Sequence, residues 1–236
     1  MQTDPRTPPR PTSLDHVALW VGAPDALADA LCTGLGMHVI ERTDTFTLVG
    51  VDARLGKLTL FAAEGPREAG VLDSVGLRVH DVASVVDRLP PELSVVEVDG
   101  AAARVRAPEG LTIALVEARG DQVAYDLDHV VLRVPDPEGA ARRLGEMGFE
   151  RRAGRLEVGD RHLRLVAGHP RATDRPLLNH LALLVASVDD YLGQGRHHGL
   201  EVDEIKDAPN TYAAFVWGPD RIKLEYLEHK PGFSLV

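Results

Sequence analysis

The strongest constraint in this sequence is a short pattern that occurs four times. Leu14–Val21 (LDHVALWV), Leu72–Val79 (LDSVGLRV), Leu127–Val134 (LDHVVLRV) and Leu178–Val185 (LNHLALLV) start 58, 55 and 51 residues apart. Repetition at such a period means one supersecondary unit copied along the chain. Each copy is short, rich in Val and Leu and bounded by Asp, Pro or Gly, which predicts a β-strand. The segment after each strand repeats as well. Pro24-Asp25 opens an apolar-periodic run through Leu27, Ala30, Leu31 and Leu35 that stops at Gly36, and Pro135-Asp136-Pro137 opens a similar run that stops at Gly148. Pro or Asp at the start and Gly at the end are helix punctuation. Alternating strands complete each unit: Arg155–Val158 and Arg161–Val166 around Gly159-Asp160, then Thr211–Trp217 and Ile222–Leu227 around Gly218-Pro219-Asp220. The chain therefore reads as four β-α-β-β-β units in an α+β fold.

A unit of about 50 residues buries too little surface to stand alone, so the units are expected to pair. Consecutive pairing is the simplest arrangement. It gives a Pro-rich flexible arm at 1–13, an N-terminal two-unit domain at 14–118, a link at 119–125 and a C-terminal two-unit domain at 125–230. The sequence has no apolar stretch of the ~18 residues a spanning helix needs and no apolar signal core, so a cytoplasmic protein without a membrane segment is expected. Lys+Arg 26 against Asp+Glu 36 gives −10, and aromatics are 5%. Neither favours phosphate backbones or base stacking, so nucleic acid is not an expected partner. The one cysteine, Cys32, excludes an intrachain disulfide and a Cys-rich metal cage, and its helical setting predicts an inert buried thiol.

With the four first strands aligned, their third residues are His16, Ser74, His129 and His180. On the last strands, Glu225 aligns with Ala114 in the second unit, Leu165 in the third, and Phe61 or Thr59 in the first. The C-terminal units thus offer His129, His180 and Glu225 at equivalent positions. Two neutral imidazoles and one carboxylate are the facial set of a non-haem Fe(II) site, with open positions left for other ligands. His16, without a carboxylate in its own unit, reads as a strand-start residue bonded locally.

These features resemble the vicinal oxygen chelate superfamily (glyoxalase, bleomycin resistance protein and dioxygenase) from Leu14 to Glu228. A ligand set confined to the C-terminal pair is most similar to the type I extradiol catechol dioxygenases. The segment Pro219-Asp220-Arg221-Ile222-Lys223-Leu224-Glu225 follows that family's Pro-x-Gly-x-x-x-Glu ending, with Arg221 in place of Gly. The resemblance implies Fe(II), or Mn(II), held by His129, His180 and Glu225, and O₂-dependent cleavage of a catechol-like aromatic substrate. The family's proton-handling residues would fall at Leu163 or His162, at Lys206 and at Phe215, so His162 or Tyr212 would have to serve as the base. Same-fold alternatives are a glyoxalase-like isomerase, epimerase or lyase, and a metal-free protein that sequesters a small ligand.

Other candidates come from strand parity and local composition. Arg133 shares the His129 face and offers a cation to an anionic substrate group. Phe215 and Trp217 share a strand face and predict a cavity wall. Asn210 and Tyr212 are polar candidates near that wall. His197-His198 before Gly199 reads as a solvated helix end. A homodimer through sheet edges or the Pro-rich arm is compatible with the pattern, but no residue specifies one.

Overall fold

The computed structural model describes residues 10–52, 56–171, 173–195 and 199–233. His197-His198 and most of the Pro-rich arm lie outside the described residues. The first unit contains β1 (Ser13–Val21), α1 (Pro24–Leu35), β2 (His38–Arg42), β3 (Phe46–Gly50) and β4 (Lys57–Ala62). The second has β5 (Leu72–Val79), a short α2 (Val82–Val86), β6 (Ser94–Asp99), β7 (Ala102–Arg106) and β8 (Thr112–Glu117). The third has β9 (Leu127–Val134), α3 (Pro137–Glu146), β10 (Glu150–Arg152), β11 (Arg155–Val158) and β12 (Arg161–Ala167). The fourth has β13 (Leu178–Leu184), α4 (Val188–Gly195), β14 (Glu201–Asp207), β15 (Thr211–Trp217) and β16 (Lys223–His229). The local punctuation acts as expected. Asp136 caps α3 by accepting the Gly139 N–H, and Gly36 ends α1 in the left-handed region (φ +66°), where its N–H reaches the Cys32 carbonyl. Burial raises the pKa of Cys32, in keeping with an inert thiol.

The four units form two eight-stranded sheets, but consecutive units do not pair. One sheet runs β14-β15-β16-β13-β1-β4-β3-β2 and joins the first unit to the fourth; the other runs β10-β11-β12-β9-β5-β8-β7-β6 and joins the second to the third. The chain order 14–118 and 125–230 is therefore not the division between sheets. In each sheet the two first strands meet antiparallel at the centre, β1 against β13 and β5 against β9. Because all four carry the same apolar pattern, their hydrophobic faces do not select partners.

Buried charges do discriminate. Arg78 on β5, 1% exposed, bonds Asp160 at 2.8 Å and Asp128 at 3.2 Å and lies 3.5 Å from Asp126, which ties the second unit to the third. Asp15 on β1 sits 2.7 Å from Lys57 and 3.2 Å from His229, which ties the first unit to the fourth. An unpaired charge at such depth is costly, so each network favours the sheet in which it is complete. The two crossovers between sheets also bond to each other: the Glu68 N–H donates to Arg175 and the Leu177 N–H to Glu68. Residues 12 and 13, expected in the arm, are already part of the first sheet, where the Thr12 N–H donates to Leu184.

One apolar core runs through both sheets and α1. Contacts between neighbouring units bind the sheets together. Glu109 of the second unit accepts the Gly22 and Ala23 N–H groups at the start of α1, and Tyr191 and Tyr226 of the fourth donate to the Met147 carbonyl after α3. Among the described residues no helix is long and apolar enough to cross a membrane.

Candidate metal centre

The antiparallel register of β1 and β13 sets Ala18 beside His180 and His16 beside Ala182. Parallel pairing then sets Glu225 on β16 beside Ala182 and Thr59 on β4 beside Ala18. The two halves of the sheet are thus related by a local twofold: His16 matches His180, and Thr59 matches Glu225. Small side chains at Ala18 and Ala182 leave room for the two imidazoles to lie over the sheet centre.

His16, His180 and Glu225 converge there. The His180 Nε2 is 3.0 Å from the Glu225 Oε2, the His16 Nε2 is 3.4 Å from the same oxygen, and the two Nε2 atoms are 3.2 Å apart. Metal–ligand bonds of about 2.1 Å at right angles put neighbouring donors about 3 Å apart, so the spacing suits one face of a coordination sphere. The residue before each histidine orients it. His16 Nδ1 lies 2.8 Å from an Asp15 oxygen and His180 Nδ1 3.0 Å from the Asn179 Oδ1. With Nδ1–H engaged in this way, each Nε2 turns its lone pair to the centre, the arrangement that ligating histidines use. Burial lowers the pKa of His180 despite the carboxylate beside it, which favours the neutral, ligating form. Burial alone would raise Glu225, but its bond to His180 and the nearness of both imidazoles outweigh that and hold the carboxyl below its usual range. Two inward lone pairs and a carboxylate, His180 and Glu225 buried and His16 half-buried, repel one another unless a cation or proton lies between them, so the donor set fits a divalent metal.

The expected trio is therefore corrected at one member. His129 lies in the other sheet, and His16 takes its place because the first unit, not the third, pairs with the fourth. The repeat alignment already held the signal, since His16 and His180 occupy the same position in their units; what it lacked was the pairing.

The remaining candidates separate in the same way. Phe215 lies beside Glu225 in register, and its ring meets His180 edge-on at 5.2 Å. Trp217, on the same face, lines a cavity of about 590 Å³ together with Trp20, Leu178 and Lys223, under the loop around His169–Arg171. These four are two to four positions along the strands from the ligands and Phe215, which sets the cavity beside the trio. Arg221 and Lys223 stack on the Trp217 ring at 4.0 and 4.5 Å. Tyr212 points away from this face and donates to Asp189 at 3.0 Å. Asn210 is exposed in the β14–β15 turn, where its carbonyl accepts the Lys230 N–H. Arg133 sits on the second sheet and is paired with Asp73.

His162 is also on the second sheet, stacked on His129 at 5.1 Å with the rings 20° from parallel. Asp128, His129 and His162 form a second close group of potential donors. Its chemistry differs. The His129 Nδ1 bonds Asp128 at 2.7 Å, and Asp128 is shared with the buried Arg78. Ser74 stands where the partner histidine would be. Arg164, in register with Val131, occupies the position equivalent to Glu225, one residue from the Leu165 expected there. A guanidinium at the carboxylate position opposes a bound cation.

Comparison with known proteins agrees with this fold. Residues 13–92, which carry His16 and Thr59, match the Glyoxalase/Bleomycin resistance protein/Dioxygenase superfamily. No curated protein sequence matches the chain. Among solved structures, it is similar to a putative dioxygenase from Bacillus subtilis (18% identity, 95% of this chain and 87% of that one, TM-score 0.74). A glyoxalase I variant from Zea mays is comparably similar (16%, 92% and 93%, TM-score 0.75), as is the cppA protein of Streptococcus pneumoniae (14%, 94% and 99%, TM-score 0.63). At these identities the likeness carries the fold and leaves the reaction to the site.

Proposed function

We propose, on the premise that this chain belongs to the vicinal oxygen chelate superfamily, that it is a metal-dependent enzyme with an extradiol-dioxygenase-like reaction on a small aromatic substrate. The observation that carries this reading is the convergence of His16, His180 and Glu225 within 3.0–3.4 Å from three strands of two units. Fe(II) or Mn(II) suits two imidazoles and one carboxylate, and when bound it supplies open positions for two vicinal oxygens and for O₂.

The chain's own residues do the rest. Asp15 and Asn179 hold the two imidazoles in one tautomer. Phe61 and Phe215 flank His180 and keep water from that side, and Trp20 lines the adjoining cavity with a ring suited to a planar substrate. Lys223, two residues before Glu225 and on its face, lines the cavity with its ammonium paired to Asp203 at 2.7 Å. His162 and Tyr212 do not reach this centre and are withdrawn as its base. Thr59 favours this reading over a glyoxalase-like isomerase: it stands opposite Glu225 and supplies no second carboxylate.

Metal analysis of anaerobically purified wild type and His180→Ala, followed by oxygen uptake over a panel of catechols, tests the proposal. About one iron or manganese per chain, lost in the variant, with oxygen consumed as rings open, is expected. Failure to hold metal even after Fe(II) reconstitution would overturn it and favour ligand sequestration. Metal without oxygen uptake on any catechol would overturn the dioxygenase reaction and favour the isomerase class.

A further inference from the structure

The second sheet repeats the scaffold of the first with opposite chemistry. Where the first sheet carries Phe215 beside Glu225, the corresponding positions of the second sheet carry Arg155 beside Arg164. Its cleft, about 560 Å³, is lined by Arg119, Arg155, Arg164, Gln122, His129 and His162, with Glu117, Asp128 and Asp160 as the acidic members. We infer that this cleft binds a small organic anion, a carboxylate or a phosphate monoester, through Arg155 and Arg164 above the His129–His162 pair.

Four observations support the assignment, and none depends on the metal reading of the first sheet. First, Asp128 and Asp160 are already bonded to the buried Arg78, whereas Arg119, Arg155 and Arg164 have no carboxylate within ion-pair distance among the described residues. Of the acidic members only Glu117, exposed at the end of β8, is left without such a partner. Second, Arg164 occupies the register position that Glu225 holds in the first sheet, so a carboxylate there is replaced by a guanidinium. Third, the floor is built for the His129 ring. A Cβ at Gly76 would lie 2.4 Å from the His129 Nδ1, so only glycine lets that imidazole lie across β5. Fourth, Arg155 and Arg164 lie close enough to the His162 ring to act on it. His162 is held neutral, with its pKa lowered to about 4, first by burial and then by the charges of His129, Arg155 and Arg164, with Asp128 opposing. The volume falls in the range of small-molecule sites, and guanidinium forks pair with the oxygens of carboxylates and phosphates in bidentate fashion.

Calorimetric titration of the full chain with benzoate, phenyl phosphate and inorganic phosphate tests the inference. Benzoate or phenyl phosphate is expected to bind at one per chain, with the preference between them identifying the head group. The dissociation constant should rise about tenfold or more in both Arg164→Gln and Arg155→Gln, and stay unchanged in His180→Ala. Both arginines are exposed, so the variants should fold, and circular dichroism checks that they do. Absence of binding by all three probes at millimolar concentration would overturn the proposal. So would binding that survives both substitutions, or that disappears in His180→Ala. A second equivalent of divalent metal per chain, retained in Arg164→Gln, would overturn it in favour of a cation site.

Discussion

Replacing His16 and His129 separately by alanine sets the two possible pairings of the repeat against each other. In the folded chain His16 supplies one of three donors separated by 3.0–3.4 Å, and its loss leaves one imidazole and one carboxylate. Removing a residue that merely orients a ligand costs 10–100-fold in metal affinity, so losing the ligand itself should cost about 100-fold or more. The fold should survive, because Asp15 keeps Lys57 at 2.7 Å and His229 at 3.2 Å. His129→Ala should cost about 1–3 kcal/mol of stability from a 5%-exposed ring, with Asp128 still held by Arg78, and should leave metal affinity within a few-fold of wild type. Anaerobic Fe(II) titration of each variant gives the affinities, and urea unfolding gives the stabilities. Metal retained by His16→Ala and lost by His129→Ala would refute the reasoning and restore the consecutive pairing.

Four further outcomes rest on the same geometry. Thr59→Glu puts a second carboxylate opposite Glu225 at a site only 7% exposed. Without metal it should lower stability by about 1–3 kcal/mol through like-charge repulsion, while metal should bind more tightly and raise the Tm more than in wild type; equal Tm shifts in thermal melts would refute this. Arg78→Met leaves the buried Asp126, the half-buried Asp128 and the exposed Asp160 short of their common partner and should cost about 3–5 kcal/mol in urea unfolding, with less than about 1 kcal/mol counting against the role given to it. Asp128 titrates at about 2: burial raises it, but the His129 bond and charge and Arg78 outweigh burial. Its folded pKa is thus below the unfolded value near 3.8, so its stabilisation is present above that value and is lost as pH falls toward 2. After allowance for solvent screening that amounts to about 1 kcal/mol, and Asp128→Asn should flatten the acid limb of the stability curve over that window. His162 ring resonances should titrate near pH 4 rather than 6.5 by NMR.

Much of this protein was legible in the chain because its signals are local. Val and Leu alternation bounded by Asp, Pro and Gly marked the first strands to within a residue, and Asp136 and Gly36 marked helix ends. These features depend on neighbours a few positions away, which any sequence displays. Two of the three candidate ligands, His180 and Glu225, were equally visible, since they lie in one unit and their positions follow from strand parity. Phe215 came with them, one strand over from Glu225.

The third candidate ligand was not legible, and the reason is the repeat itself. Four nearly identical apolar strands can pair in more than one way, because hydrophobic burial is non-directional and scores each arrangement alike. Choice among them rests on directional interactions between distant residues: Arg78 with Asp126, Asp128 and Asp160 in one sheet, Asp15 with Lys57 and His229 in the other. Those contacts brought His16 to His180 and left His129 beside His162 and Arg164. By itself, the sequence determined four units, their strands and the residue types able to hold a metal. Tertiary structure alone decided which units share a sheet, and so which histidine completes the centre and which cleft became cationic.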